Sequence, residues 1–208
     1  MTKEEWYNAL AIRHGTDLQQ KFSSASVALC GLGGLGSNVA VSLARAGIGT
    51  LRLIDFDKVD ISNLNRQQYT VSQLGMYKTE AMRQTISAIS PYCNVMTHTV
   101  RLTENNLSLL SDCEIICECF DNAVCKAMLV NGISEHYPEK YIVSASGMSG
   151  LHSSNAILTK KLGKRLYICG DGTSDVNTDG TLFAPRVMLC AAHQANTVLR
   201  IIAGKFEV

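Results

Sequence analysis

Between Ser26 and Arg66 the chain twice runs apolar and then turns polar. Val27 to Cys30 is short and β-prone, as suits a parallel strand buried on both faces. It ends in Gly31-Leu32-Gly33-Gly34-Leu35-Gly36, and a helical pattern follows from about Ser37 to Arg45. Val39, Ala40, Leu43 and Ala44 predict the buried face of that helix, while Asn38, Ser42 and Arg45 fall on the outward face. Leu51 to Ile54 is a second strand, closed by Asp55-Phe56-Asp57 and followed by the polar run Asn63-Leu64-Asn65-Arg66-Gln67-Gln68.

The same patterning continues to the end of the chain. Residues 4–22 predict one or two helices, with Trp6, Leu10, Leu18 and Phe22 as packing positions. Lys78 to Ile89 predicts a helix with Ala81, Met82, Ile86 and Ile89 on one face, ended by Ser90-Pro91. Asn94 to Val100 alternates like a strand, Glu104 to Leu110 is a short helix, and Glu114 to Phe120 is a strand diluted by Glu114 and Glu118. Asp121-Asn122 opens a helix through about His136, and Tyr141 to Ser146 is a further strand. Asn155 to Thr159 and Arg165 to Cys169 read as late antiparallel strands, Gly170 to Thr181 as a mobile loop or crossing segment, and Pro185 to Ala203 as an apolar helix. The alternation of strands and helices predicts an α/β fold: a Rossmann-like, doubly wound, mostly parallel sheet with antiparallel late strands and N-terminal helices. No repeat or long linker divides the chain, so one domain is expected over residues 1–208, with a helical arm over 1–24 and a mobile crossover loop over 170–184.

The strand ends carry the candidate chemistry. Gly31, Gly33 and Gly36 fit G-x-G-x-x-G, with Gly34 as an extra glycine. Such glycines permit a tight turn, close approach of backbone to phosphate, and close packing of helix on strand. The helix that follows would aim free N–H groups and its positive dipole end at an anion. Asp55 stands about twenty residues further on, where an acid can bond a ribose hydroxyl. Arg66 can clamp phosphate with its planar fork, or be an ordinary solvated arginine. Lys78 opens a helix, where the dipole disfavours a cation, and a phosphate ligand would account for it. Asp121 can hold Mg²⁺ on a triphosphate, and Asp121 or Asn122 can cap the following helix. An acid for ribose, two cations for phosphates and an acid for a metal describe ATP with Mg²⁺ better than they describe a dehydrogenase. A dehydrogenase would also need a substrate domain, and little chain remains for one.

Composition narrows the classes. The chain has 208 residues, 46% of them hydrophobic, and a formal net charge of +1. That balance gives no global field calling for nucleic acid or an anionic membrane. No apolar run approaches the ~18 residues of a membrane span. The charged start has no signal-peptide core, so a cytoplasmic protein is expected. The eight cysteines include no C-x-x-C pair, so zinc is not expected, and most are read as reduced and several as buried.

Four blocks in order, GLGGLGSN, LIDFDKVDISNLNRQQY, GMYK and CFDN, resemble the ThiF/MoeB/HesA family, the ubiquitin-activating-enzyme-like adenylyltransferases, over roughly residues 10–150. The short chain, Arg13-His14-Gly15 and the SNLNRQQY block look most like the ThiF branch. The resemblance implies ATP-dependent adenylation of the C-terminal glycine carboxylate of a small ubiquitin-fold sulfur carrier, ThiS-like, in thiamine thiazole biosynthesis. It places Gly34 at the ATP phosphates, Asp55 at the ribose, Asn63, Arg66 and Lys78 at phosphates, and Asp121 on Mg²⁺. It implies a homodimer in which Arg13 reaches across the interface, and a separate sulfur donor protein. The paired zinc cysteines of larger members are absent, and segment 171–183 holds no cysteine, with Cys169 just before it and Cys190 beyond. Three rivals stay open: an NAD(P)-dependent oxidoreductase, a non-catalytic adaptor holding ATP or a carrier, and activation of another carboxylate such as one on a modified tRNA base.

Overall fold

The computed structural model describes residues 1–208. Its elements are α1 (Lys3–His14), α2 (Thr16–Ser24), β1 (Ser26–Cys30), α3 (Gly34–Arg45), β2 (Thr50–Ile54), α4 (Lys78–Ile89), β3 (Asn94–His98), β4 (Ile115–Glu118), α5 (Ala123–His136), β5 (Tyr141–Ala145), β6 (Leu158–Leu162), β7 (Leu166–Gly170) and α6 (Ala184–Ile202). They form one seven-stranded sheet in the order β3-β2-β1-β4-β5-β7-β6. Only the β6–β7 pair is antiparallel. Strand order reverses between β1 and β4, which opens a crevice at the carboxyl ends of the strands.

The period-two rule explains why helices cover both faces. Val27 and Leu29 of β1, Leu51 and Leu53 of β2, and Ile115 and Cys117 of β4 enter a large core shared with α2, α3, α4 and α6. Ala28, Cys30, Ile54 and Ile116 point the other way, into a smaller core with Leu129 and Ile133 of α5 and with Leu107 and Leu110. Each fully buried Leu or Ile contributes roughly 2 kcal/mol by leaving water, so two-sided burial sets the register of the inner strands.

Three expectations change. The first late strand lies at Leu158–Leu162, not 155–159, because Ser154–Ala156 makes a 3-10 turn first. The short helix at 104–110 is a kinked 3-10 segment. Asn38 is 6% exposed rather than outward, and its amide bonds the carbonyls of Gly34 and Arg66.

Candidate functional site

The glycine turn sits at the crevice, and each glycine meets a different demand. Gly31 has φ +93°, and a Cβ there would stand 3.0 Å from the Cys119 carbonyl oxygen. A Cβ on Gly36 would stand 1.9 Å from the Gly31 oxygen, so this glycine lets α3 pack on its strand. Gly33 faces a more open side, with Gln67 Nε2 3.8 Å from a Cβ placed there, while a Cβ on Gly34 would stand 3.0 Å from Val187 and 3.5 Å from Arg66. Gly33 is the N-cap of α3, and no side chain caps the helix. Its first N–H groups and positive dipole end are left for an anion.

Side chains from neighbouring strand ends hold this turn. Asp55 is buried; its Oδ2 accepts from the Leu32 N–H at 2.6 Å and its Oδ1 from the Asp57 N–H at 2.8 Å. Burial raises its carboxyl above the usual range, opposed by the nearby Lys78 charge and those two N–H groups. The Tyr69 hydroxyl donates to the Leu32 carbonyl at 2.8 Å. Asp55 and Tyr69 therefore fix Leu32 from both sides.

Arg66 lays its stem against the turn, with its Cγ 3.5 Å from where a Cβ on Gly34 would be. Its Nη1 donates to Asn65 Oδ1 at 2.8 Å and the Ser62 carbonyl at 3.2 Å, and its Nε is buried with no partner. No carboxylate pairs with it within the chain, which leaves a guanidinium at the turn with donor capacity to spare. Asn63 is half-buried, and its Oδ1 accepts from the Asp60 N–H, a capping role. Lys78, 6% exposed, does have a partner: its Nζ is 3.0 Å from Asp57 Oδ2. The carboxylate that accounts for a cation at that helix start comes from the end of β2.

The other wall is the end of β4. Asp121 is exposed there, one residue past Phe120, whose ring lies against Gly31. Asn122 caps α5, its Oδ1 accepting from the N–H groups of Val124 and Cys125 at 3.0 Å each. Asp121 is an exposed carboxylate three residues past the end of β4. No group of three or more His, Cys, Asp or Glu side chains could hold an ion alone. An ion at Asp121 would therefore take its other oxygens from phosphate and water, the habit of Mg²⁺. Arg13 lies apart, exposed in the last turn of α1.

Behind this wall is a buried ion pair that the sequence did not reveal. Glu118 is fully buried; its Oε1 accepts from the Phe120 N–H at 2.7 Å, and its Oε2 from Lys126 Nζ at 2.8 Å and Ser144 Oγ at 2.6 Å. The signal available was an acid inside an apolar strand with a lysine eight residues later, in the first turn of the next helix. Five buried thiols are poor nucleophiles: burial raises Cys30, Cys117, Cys119 and Cys169, and pushes Cys190 up to about 12.

The ThiF family model matches residues 7–208. The chain belongs to the ThiF family. Among curated relatives, the adenylyltransferase and sulfurtransferase UBA4 of Candida glabrata is 30% identical over 196 residues, covering 91% of this chain and 45% of that protein. The adenylyltransferase and sulfurtransferase MOCS3 of Drosophila virilis is 36% identical over 117 residues, covering 55% of this chain and 26% of that protein. This ThiF-family chain thus spans under half the length of those relatives. Among solved structures, the Escherichia coli tRNA N6-threonylcarbamoyladenosine dehydratase TcdA in complex with ATP superposes with a TM-score of 0.85 at 23% identity, covering 96% of this chain and 94% of that one. That likeness establishes a shared fold.

Proposed function

We propose that residues 1–208 act as one adenylyltransferase unit that activates the C-terminal glycine carboxylate of a ThiS-like ubiquitin-fold carrier with ATP. The observation that carries this reading is the uncapped amino end of α3 with Arg66 laid against it, its Nε unpartnered. ATP-bound TcdA, of the same fold, and the adenylyltransferases UBA4 and MOCS3 support it.

In this reading the Gly33–Gly36 backbone and Arg66 receive phosphate oxygens, Asp55 the ribose, and Asn63 and Lys78 further phosphate oxygens. Lys78 exchanges its Asp57 contact for phosphate as the nucleotide enters. A carrier carboxylate oxygen attacks the α-phosphorus, the bond to pyrophosphate breaks, and an acyl-adenylate forms. The charge that builds on the phosphate oxygens is met by Arg66 and, once released from Asp57, by Lys78. Asp121 would hold Mg²⁺, which supplies further charge neutralisation on the phosphates. With the buried thiols raised, displacement of AMP falls to a separate sulfur donor protein. α1 has no buried residue and leaves Ile12 84% exposed beside Arg13. A helix without a core face suits the arm of a homodimer that donates Arg13 across the interface.

Pyrophosphate exchange into ATP, with Mg²⁺ and a Gly-Gly-ended carrier, tests the reading. The wild-type chain should exchange, while Arg66→Ala and Asp121→Ala should each lose at least about a hundredfold at unchanged Tm. A folded wild-type chain that exchanges with no such carrier would sink the reading. Exchange with a small carboxylate in place of the carrier would move the substrate class instead.

A further inference from the structure

β4 and β5 part before their carboxyl ends. The ladder between them stops at Cys117 and Val143, although β4 stays paired with β1 as far as Glu118 and β5 with β7 as far as Ala145. At the next pair in register, Ser144 Oγ reaches the Glu118 carboxylate instead. That contact lies on the α5 side of the sheet, and Gln194 of α6 enters the parting from the other side. Gln194 is fully buried, with its Nε2 3.1 Å from the Glu118 carbonyl oxygen and 3.1 Å from the Val143 carbonyl oxygen. Its Oε1 accepts from the Cys119 thiol at 3.9 Å. Two carbonyls demand donors, so the amide sits only this way round. An apolar side chain would fill the same space and leave both buried carbonyls without this donor. The Phe120 N–H is held in turn by the Glu118 carboxylate. Each residue from Glu118 to Phe120 is therefore fixed by a side chain, Gln194 fixes the first two, and Asp121 comes next.

We infer that Gln194 is a positioning residue: it holds the end of β4 apart from β5 and so sets where Asp121 stands. This rests on the adenylation reading above, in which Asp121 would hold Mg²⁺, and adds the group behind that acid. Mg²⁺ tolerates little distortion of its octahedron. A small shift of the Asp121 carboxylate should thus lower turnover more than nucleotide binding.

The test uses the full chain. Gln194→Met keeps the length of the side chain and removes all three hydrogen bonds. Amide hydrogen exchange should quicken about tenfold or more at Phe120 to Asn122 and stay as in the wild type along α3. In pyrophosphate exchange, kcat should fall at least about tenfold with KM for ATP within about twofold of wild type, because a misplacement of ~1 Å can cost about a hundredfold. Gln194→Asn, too short to reach both carbonyls, should repeat this pattern. Val198→Ala, one turn further along α6 and also fully buried, is the control for lost packing. It should lower Tm and leave both kcat and the Phe120 to Asn122 amides unchanged. A Gln194→Met chain with lowered Tm and wild-type kcat would overturn the inference, by making the amide structural only. So would amide exchange that quickens throughout the chain, or failure of both Gln194 variants to fold. A wild type inactive in pyrophosphate exchange removes the adenylation reading itself, and the Phe120 to Asn122 amides then decide alone whether Gln194 fixes the end of β4.

Discussion

Glu118 shows how one residue ties chemistry to fold. Its carboxylate joins the backbone just before Asp121 to a lysine on α5 and a serine on β5, with no access to water. Glu118→Gln keeps the shape but can offer only one acceptor oxygen where three donors converge. It also leaves Lys126, 24% exposed, without its counter-charge. The expected loss is about 3 kcal/mol by urea unfolding, with kcat for exchange falling more than KM for ATP changes, because the β4 end that carries Asp121 loses its anchor. Adding Lys126→Met should return part of the stability, since the stranded charge is then gone. A double variant as unstable as the sum of the two singles would show that the pair is not coupled.

At the level of elements, the glycine turn makes a sharper prediction, because two of its glycines serve opposite ends. Gly36→Ala would place a Cβ 1.9 Å from the Gly31 oxygen, a clash between backbones that only moving α3 off β1 relieves. It should cost at least about 3 kcal/mol or abolish folding. Gly33→Ala meets nothing nearer than Gln67 Nε2 at 3.8 Å. It should fold and melt near the wild type while weakening ATP, because the new methyl covers the face proposed for phosphate. Equal melting temperatures for the two variants would refute this division. The turn and α4 were legible from the chain because they depend on local pattern: glycine spacing for one, and the face of Ala81, Met82 and Ile86 for the other. β6 was read three residues early, because on an edge strand Leu158 and Leu162 are exposed and Lys160 faces water, which leaves little apolar contrast to follow. Asn38, Glu118 and the Asp57 contact of Lys78 were hidden for a different reason. Each has a partner from a segment distant in sequence, Arg66 for Asn38, Ser144 for Glu118 and Asp57 for Lys78, and no periodicity records those meetings.

Across the whole molecule, segment 171–183 gathers several parts of the crevice rim. Asp171 follows β7, Arg186 lies in the first turn of α6, and the two form an ion pair with side chains 6% and 5% exposed. Arg186 also donates to the carbonyls of Ser149, His152 and Ser153, beyond β5, at 3.2, 2.8 and 2.9 Å. The next residue, Val187, packs against Gly34 of the glycine turn. Read from composition as mobile, the segment is thus held at its base by one pair that reaches three elements and the site. Burial works against the Asp171 charge, but N–H groups of Ser174 and Thr173, the Ser174 hydroxyl and Arg186 outweigh it and bring its pKa down to about 2. A carboxylate lowered in the fold contributes stability that is complete above its unfolded pKa of about 4 and is lost as pH falls through its folded pKa. Asp171→Asn removes that contribution and strands Arg186, at an expected cost of about 3 kcal/mol near neutral pH. Melting both chains from pH 2 to 7 isolates the effect, because Asp179, also lowered to about 2, titrates in each. The gap in Tm should stay constant above about pH 5 and close as pH falls from about 4 toward 2. A gap that stays open down to pH 2 would mean that Asp171 does not owe its contribution to its charge. In that case the base of the loop would be held by hydrogen bonds that asparagine, with one acceptor oxygen, does not make.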